Sequence, residues 1–172
     1  MEGHVGAGIA GSQFDRALQL IEQYQREKKR VAAITLSIGG NDLVEMGKRC
    51  PAGATCLAEY NPALIRMKAN LETIYSRIAE AKDAKTPLLV VLYYNASDCG
   101  QPGVEASPTE LGVLGWNDAI REIAGRHGAT LVDLHGPFKG KACTLISSLD
   151  ANAAGHVVID EAYKRSYEAA TK

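Results

Sequence analysis

The sequence predicts an α/β fold, a parallel sheet with helices on both faces, and three observations predict it. Residues 31–38, 88–94 and 129–134 form three short, almost continuously apolar runs, the pattern of strands covered on both sides. Between them lie segments with apolar residues at helical spacing, long enough to carry the chain back to a parallel strand. The 172 residues, 46% of them apolar, are enough for one continuous core, so a single domain over residues 1–172 is expected.

Ser12 can cap a first helix, in which Phe14, Leu18 and Ile21 make the apolar stripe, running to about Lys29. The strand 31–38 follows and ends in Gly39-Gly40. Asn61-Pro62 opens a long helix with Leu64, Met67, Leu71, Ile74 and Ile78 on one stripe. Pro87 precedes the second strand, and a loop from Asn95 to about Thr109, rich in Gly, Pro, Ser and Asp, is long enough to carry function. A helix through Trp116, Ile120 and Ile123 stops at Gly128, before the third strand. Asn152 caps a last helix through Val158, Ala162 and Tyr163. In such sheets ligands bind at the carboxyl ends of the strands. Asn41-Asp42, Asn95 and the segment after Leu134 all fall there.

A net charge of -1 gives no pull toward nucleic acid or an anionic membrane. The basic cluster Lys28-Lys29-Arg30 reads as a solvated helix end. No apolar run reaches the roughly 18 residues of a membrane span, and the N-terminus has no signal-peptide pattern. The four cysteines contain no C-x-x-C pair and no histidine at metal-finger spacing, so neither metal nor cofactor is expected. Pro51 and Gly53 between Cys50 and Cys56 suit a small disulfide-closed loop, leaving Cys99 to pair with Cys143 by exclusion. Such bonds imply an extracellular or periplasmic location; four free buried thiols in a cytosolic protein are the alternative.

Gly39-Gly40-Asn41-Asp42, after a strand, lets the backbone approach a substrate and offers an uncharged Asn Nδ2 donor. Such a donor stabilises the oxyanion of acyl transfer; a plain turn is the alternative. The turn resembles the G-x-N-D block of the SGNH (GDSL-type) ester hydrolases. Gly8-Ile9-Ala10-Gly11-Ser12 resembles the block whose glycine N–H is the second oxyanion donor, which would be Gly11. Asn152-Ala153-Ala154-Gly155-His156 resembles the tail of the block that supplies the catalytic Asp and His. The resemblance covers nearly the whole chain. It implies a three-layer, flavodoxin-like sheet, with Asn41 and Gly11 as the oxyanion hole and Gly39, Gly40 and Asn95 beside a small ester such as a lipid or acylated sugar.

The departures concern the triad. No Gly-Asp-Ser occurs in the sequence, and the strand that would carry it is expected to be missing from the N-terminus. The catalytic His position reads Asp150 and its Asp partner's position reads Ser147. A carboxylate at Asp150 is a poor base for a hydroxyl at neutral pH. His156 is expected to pack within the last helix. His135, at the productive edge of the sheet, is expected to be a hydrogen-bonded loop residue rather than a base. The expectation is a truncated ester hydrolase, weakly active or inactive, with a non-catalytic acyl- or glycan-binding module as the alternative. With the family's central first strand gone, strand 31–38 becomes an apolar edge through which two copies can pair.

Overall fold

The computed structural model describes residues 12–49 and 56–172. Gly11 and Cys50, expected in the oxyanion hole and in a disulfide, lie outside these residues.

Three parallel strands, β1 (Ile34–Leu36), β2 (Leu88–Leu92) and β3 (Thr130–Asp133), form a sheet in the order β1-β2-β3. Ile34 aligns with Leu88 and Leu36 with Val90 across the first pair; Leu89 aligns with Thr130 and Leu92 with Asp133 across the second. All five residues of β2 are buried. Successive strand side chains point to opposite faces. Leu88, Val90 and Leu92 therefore pack with Leu71, Trp116 and Ile120 from helices α3 (Leu57–Ala81) and α4 (Pro108–Arg126), and with Leu18 and Ile21 of α1 (Gln13–Arg26). Leu89 and Val91 pack on the other face with Val132, Phe138 and Ala162, the last on α7 (Ala153–Ala170). The result is the expected three layers. Each fully buried aliphatic side chain contributes roughly 1.5–3 kcal/mol, so this central strand anchors both faces.

Local signals explain most boundaries. Ser12 Oγ accepts from Asp15 N at 3.1 Å, and the Asp15 carboxylate accepts in return from Ser12 N, completing a capping box. Asn152 Oδ1 accepts from Ala154 N and Gly155 N at the start of α7. Gly128, with φ of 62°, follows the end of α4 in the left-handed region that favours glycine.

Other boundaries differ from expectation. The first strand covers only Ile34–Leu36 rather than 31–38, with Thr35 exposed. Helix α1 stops at Arg26, so the exposed Lys28-Lys29-Arg30 cluster lies beyond it. Helix α3 begins at Leu57, placing Pro62 inside the helix rather than at its start. The anchor is Tyr60: its hydroxyl donates to Gly112 O at 2.9 Å and its ring lies 6.2 Å from that of Trp116. Helix α2 (Gly40–Lys48), the short helices α5 (His135–Phe138) and α6 (Ala142–Leu145), and the antiparallel pair β4 (Ile146–Ser147) and β5 (Asp150–Ala151) complete the fold.

Cys99 and Cys143 are disulfide-bonded as expected, with their Cα atoms 5.2 Å apart. Cys56 is also disulfide-bonded. Among the described residues, no strand pairs with the outer edge of β1, and no helix is long and apolar enough to cross a membrane.

Candidate active site

The carboxyl ends of the three strands lie at one edge of the sheet, and each delivers polar groups there. β1 leads through Ser37 and Ile38 into Gly39, whose φ of 102° lies in the left-handed region, and then into α2. Asn41 is thus the second residue of a helix rather than part of a free turn. It is exposed, and among the described residues its side chain makes no hydrogen bond. Its Nδ2 is an uncommitted donor beside the positive end of the α2 dipole, a setting that favours negative charge. Asp42, the next residue, has its carboxyl pushed up by burial, partly offset by the Arg66 guanidinium.

The two glycines leave room that the protein itself fills. A Cβ at Gly39 would stand 3.1 Å from Trp116 Nε1, and one at Gly40 would stand 2.7 Å from Tyr93 Cε1. Their small size seats α2 against two aromatic rings.

At the end of β2, Asn117 clasps the peptide of Tyr93: Tyr93 N donates to Asn117 Oδ1 at 2.7 Å and Asn117 Nδ2 donates to Tyr93 O at 2.8 Å. The Tyr93 hydroxyl lies 3.3 Å from Ser37 Oγ, and burial holds its ionisation above the usual tyrosine value. The next ring, Tyr94, stacks on Phe138 with centroids 4.3 Å apart and donates to Leu149 O at 3.1 Å. Asn95 is 4% exposed, and both its amide oxygen and its amide nitrogen are hydrogen-bonded. Its Oδ1 accepts from Ser97 N at 2.9 Å, and its Nδ2 donates to Glu110 Oε2 at 3.0 Å. Both bonds tie it to the protein's own loop and α4. Glu110, also 4% exposed, has its other oxygen 2.6 Å from His135 Nε2, at the end of β3.

The long loop after Asn95 is pinned at several points. Buried Asp98 accepts from Gly100 N at 3.0 Å and from Gly140 N at 2.7 Å, beside the Cys99–Cys143 bond. Ser107 Oγ then caps α4 by accepting from Glu110 N at 3.1 Å.

Ser147 and Asp150, at the expected Asp and His positions, are exposed and face each other across β4 and β5. Tyr94 ties this hairpin to the end of β2, and its phenol is pushed up by burial and then by the Asp150 charge. His156 is exposed on α7. His127 lies away from the strand ends, with Nε2 2.8 Å from Glu72 Oε1. A cleft of about 190 Å³ is lined by Asp42, Arg49, Glu59 and Arg66 among others. No group of metal-ligating side chains occurs among the described residues.

Sequence reading missed Tyr93, Glu110, Trp116 and Asn117. Asn117 left a trace, a polar residue among the apolar positions of α4. Glu110 was hidden by its position in Ser107-Pro108-Thr109-Glu110, which reads as an ordinary capping box.

A sequence profile of the GDSL-like Lipase/Acylhydrolase family matches residues 2–158. The chain belongs to this family. No curated protein matches it. Among solved structures, this GDSL-like chain is similar to an α/β hydrolase enzyme from the metagenome of Lake Arreo, Spain. That likeness has a TM-score of 0.59 at 19% identity, covering 91% of this chain and 68% of that one. It is also similar to an acetylxylan esterase from Geobacillus stearothermophilus, with a TM-score of 0.61 at 14% identity over 87% of this chain and 67% of the esterase. A catalytic mutant of that esterase gives a TM-score of 0.61 at 17% identity over 95% and 71%. At these identities the structures carry the fold, while the family profile makes the chain a member of an ester-hydrolase family.

Proposed function

We propose that this chain is a carboxylic-ester hydrolase domain in which Asn41 stabilises the oxyanion of acyl transfer. The observation that carries this reading is the exposed, uncommitted Asn41 side chain at the N-terminus of α2, on the carboxyl edge of the sheet. As the acyl carbonyl becomes tetrahedral, Nδ2 donates to the developing negative charge, an effect worth about 3 kcal/mol per donor. Gly11 N–H is the proposed second donor. Ser147 and Asp150 occupy the triad positions without the chemistry of an Asp–His pair, and no Gly-Asp-Ser is present. Turnover by this stretch of chain is proposed to be slow, on the order of the 10³- to 10⁴-fold over water that remains when triad members are removed.

Small esters of sugars are the proposed substrates; the fold likeness to acetylxylan esterases supports this choice. The Cys99–Cys143 bond supports an oxidising, extracellular or periplasmic compartment. The free outer edge of β1 among the described residues supports pairing of two copies, which light scattering tests.

Hydrolysis of p-nitrophenyl acetate and of acetylated xylo-oligosaccharides, with a serine-directed phosphonate as probe, tests the function. Slow turnover that falls about 100-fold in Asn41→Leu, without stoichiometric labelling, is expected. Fast turnover with stoichiometric labelling overturns the weak-activity reading. Saturable binding without turnover identifies a binding module instead.

A further inference from the structure

Three side chains from three elements meet at the carboxyl edge of the sheet in an arrangement that the family motifs do not contain. Asn95 follows β2, Glu110 opens α4 and His135 follows β3. Glu110 is buried, and its two carboxylate oxygens lie 3.0 Å from Asn95 Nδ2 and 2.6 Å from His135 Nε2. Among the described residues no lysine or arginine pairs with it; His135 is its one ion-pair partner. An ionised carboxylate only accepts hydrogen bonds, so when Glu110 is ionised and His135 is neutral, Nε2 donates to it and Nδ1 holds the free lone pair. Nδ1 has no hydrogen-bond partner among the described residues, and the His135 side chain keeps 15% of its surface exposed. Asn95 fixes the carboxylate, and the carboxylate fixes the tautomer and orientation of the ring.

We propose that His135 is the general base of this site, acting through Nδ1 on a water molecule, with Glu110 and Asn95 as its positioning residues. The proposal rests on the ester-hydrolase reading above. The ends of β1 and β3 flank that of β2 on the carboxyl edge of the sheet, so the segments that carry Asn41 and His135 leave the sheet at the same edge. In the first step the water oxygen bonds to the acyl carbon. Its proton passes to Nδ1, and the carbonyl π pair moves onto the oxygen that Asn41 Nδ2 stabilises. In the second step the bond from the acyl carbon to the alcohol oxygen breaks, and that oxygen takes the proton back from Nδ1. Ester and water become acid and alcohol, with no other reactant. Glu110 stabilises the imidazolium formed between the steps, as a carboxylate does beneath a catalytic histidine.

The test uses the whole chain and phenyl acetate, with the reaction of free imidazole subtracted. His135→Gln keeps an amide donor toward Glu110, and His135→Ala opens a space for added imidazole. Both are expected to lower hydrolysis about 100-fold, the ordinary contribution of a general base. Imidazole is expected to restore part of the rate to His135→Ala and none to His135→Gln. Glu110→Gln is expected to lower kcat and leave KM unchanged. Hydrolysis that survives His135→Gln, or a folded His135→Ala that imidazole does not rescue, overturns the proposal. Asn41→Leu, measured alongside, separates the two readings. Loss of rate with Asn41→Leu but not with His135→Gln removes only the role of His135. A wild-type chain with no hydrolysis, or with hydrolysis indifferent to both changes, removes the ester-hydrolase reading as well.

Discussion

Asn117 holds both backbone polar groups of Tyr93, N–H at 2.7 Å and C=O at 2.8 Å, from a position with no exposed surface. The clasp ends β2 where Tyr93 leaves the sheet and fixes the ring that covers Gly40. Asn117→Ala leaves the part-buried N–H and C=O of Tyr93 without these partners, each costing about 1–3 kcal/mol. A loss of about 2–4 kcal/mol is expected, read as a lower urea midpoint with the slope unchanged.

Gly40→Ala tests the seat of α2. A glycine-to-alanine change in an exposed helix interior ordinarily gains up to about 1 kcal/mol. Here the new methyl meets the Tyr93 ring, which Asn117 holds in place through its backbone. A net loss of about 1–3 kcal/mol is expected. In a double-mutant cycle, Tyr93→Val should recover much of that loss, and a coupling near zero would contradict the contact.

Reducing the Cys99–Cys143 bond opens a loop whose ends are 44 residues apart. Chain-entropy arithmetic gives a loss of about 4 kcal/mol for a loop of that size. A paired Cys99→Ala and Cys143→Ala variant should show a comparable drop in calorimetry, with Asp98 still bound to the Gly140 amide.

Acid sensitivity should arise on the α3–α4 face. The Arg126 guanidinium, then His127, holds the Glu72 carboxyl below its ordinary value of 4.5. A depressed folded-state value stabilises the fold at pH above the unfolded value, and that stability is lost as pH falls through the folded one. Wild type should therefore lose stability below about pH 4.5 more steeply than Glu72→Gln in thermal melts. The pair is exposed, so the difference should shrink at high salt.

The layers and caps were legible because they depend on local chemistry. Apolar runs marked the three strands, while Ser12 and Asn152 announced their helices through side-chain oxygens that accept backbone amides. The shortness of β1 was not legible, since Val31 through Ile38 is apolar enough for a longer strand, while pairing with β2 covers only Ile34 to Leu36. Asn41 was legible as a donor at a strand end, although its place on a helix was not. Glu110 shows why local motifs mislead. Its amide serves the cap of α4 as the motif predicts, but its carboxylate turns toward Asn95 and His135, partners 15 and 25 residues away that no window of the sequence brings together.

The bond between Cys99 and Cys143 also alters how the chain responds to pulling. α4 and β3 lie wholly inside the loop it closes, so tension applied at the two termini bypasses them. Under force the oxidised protein should extend about 150 Å less than the reduced one, given 44 residues withheld at roughly 3.5 Å each. The strand that delivers His135 would then be mechanically sheltered by a single covalent link.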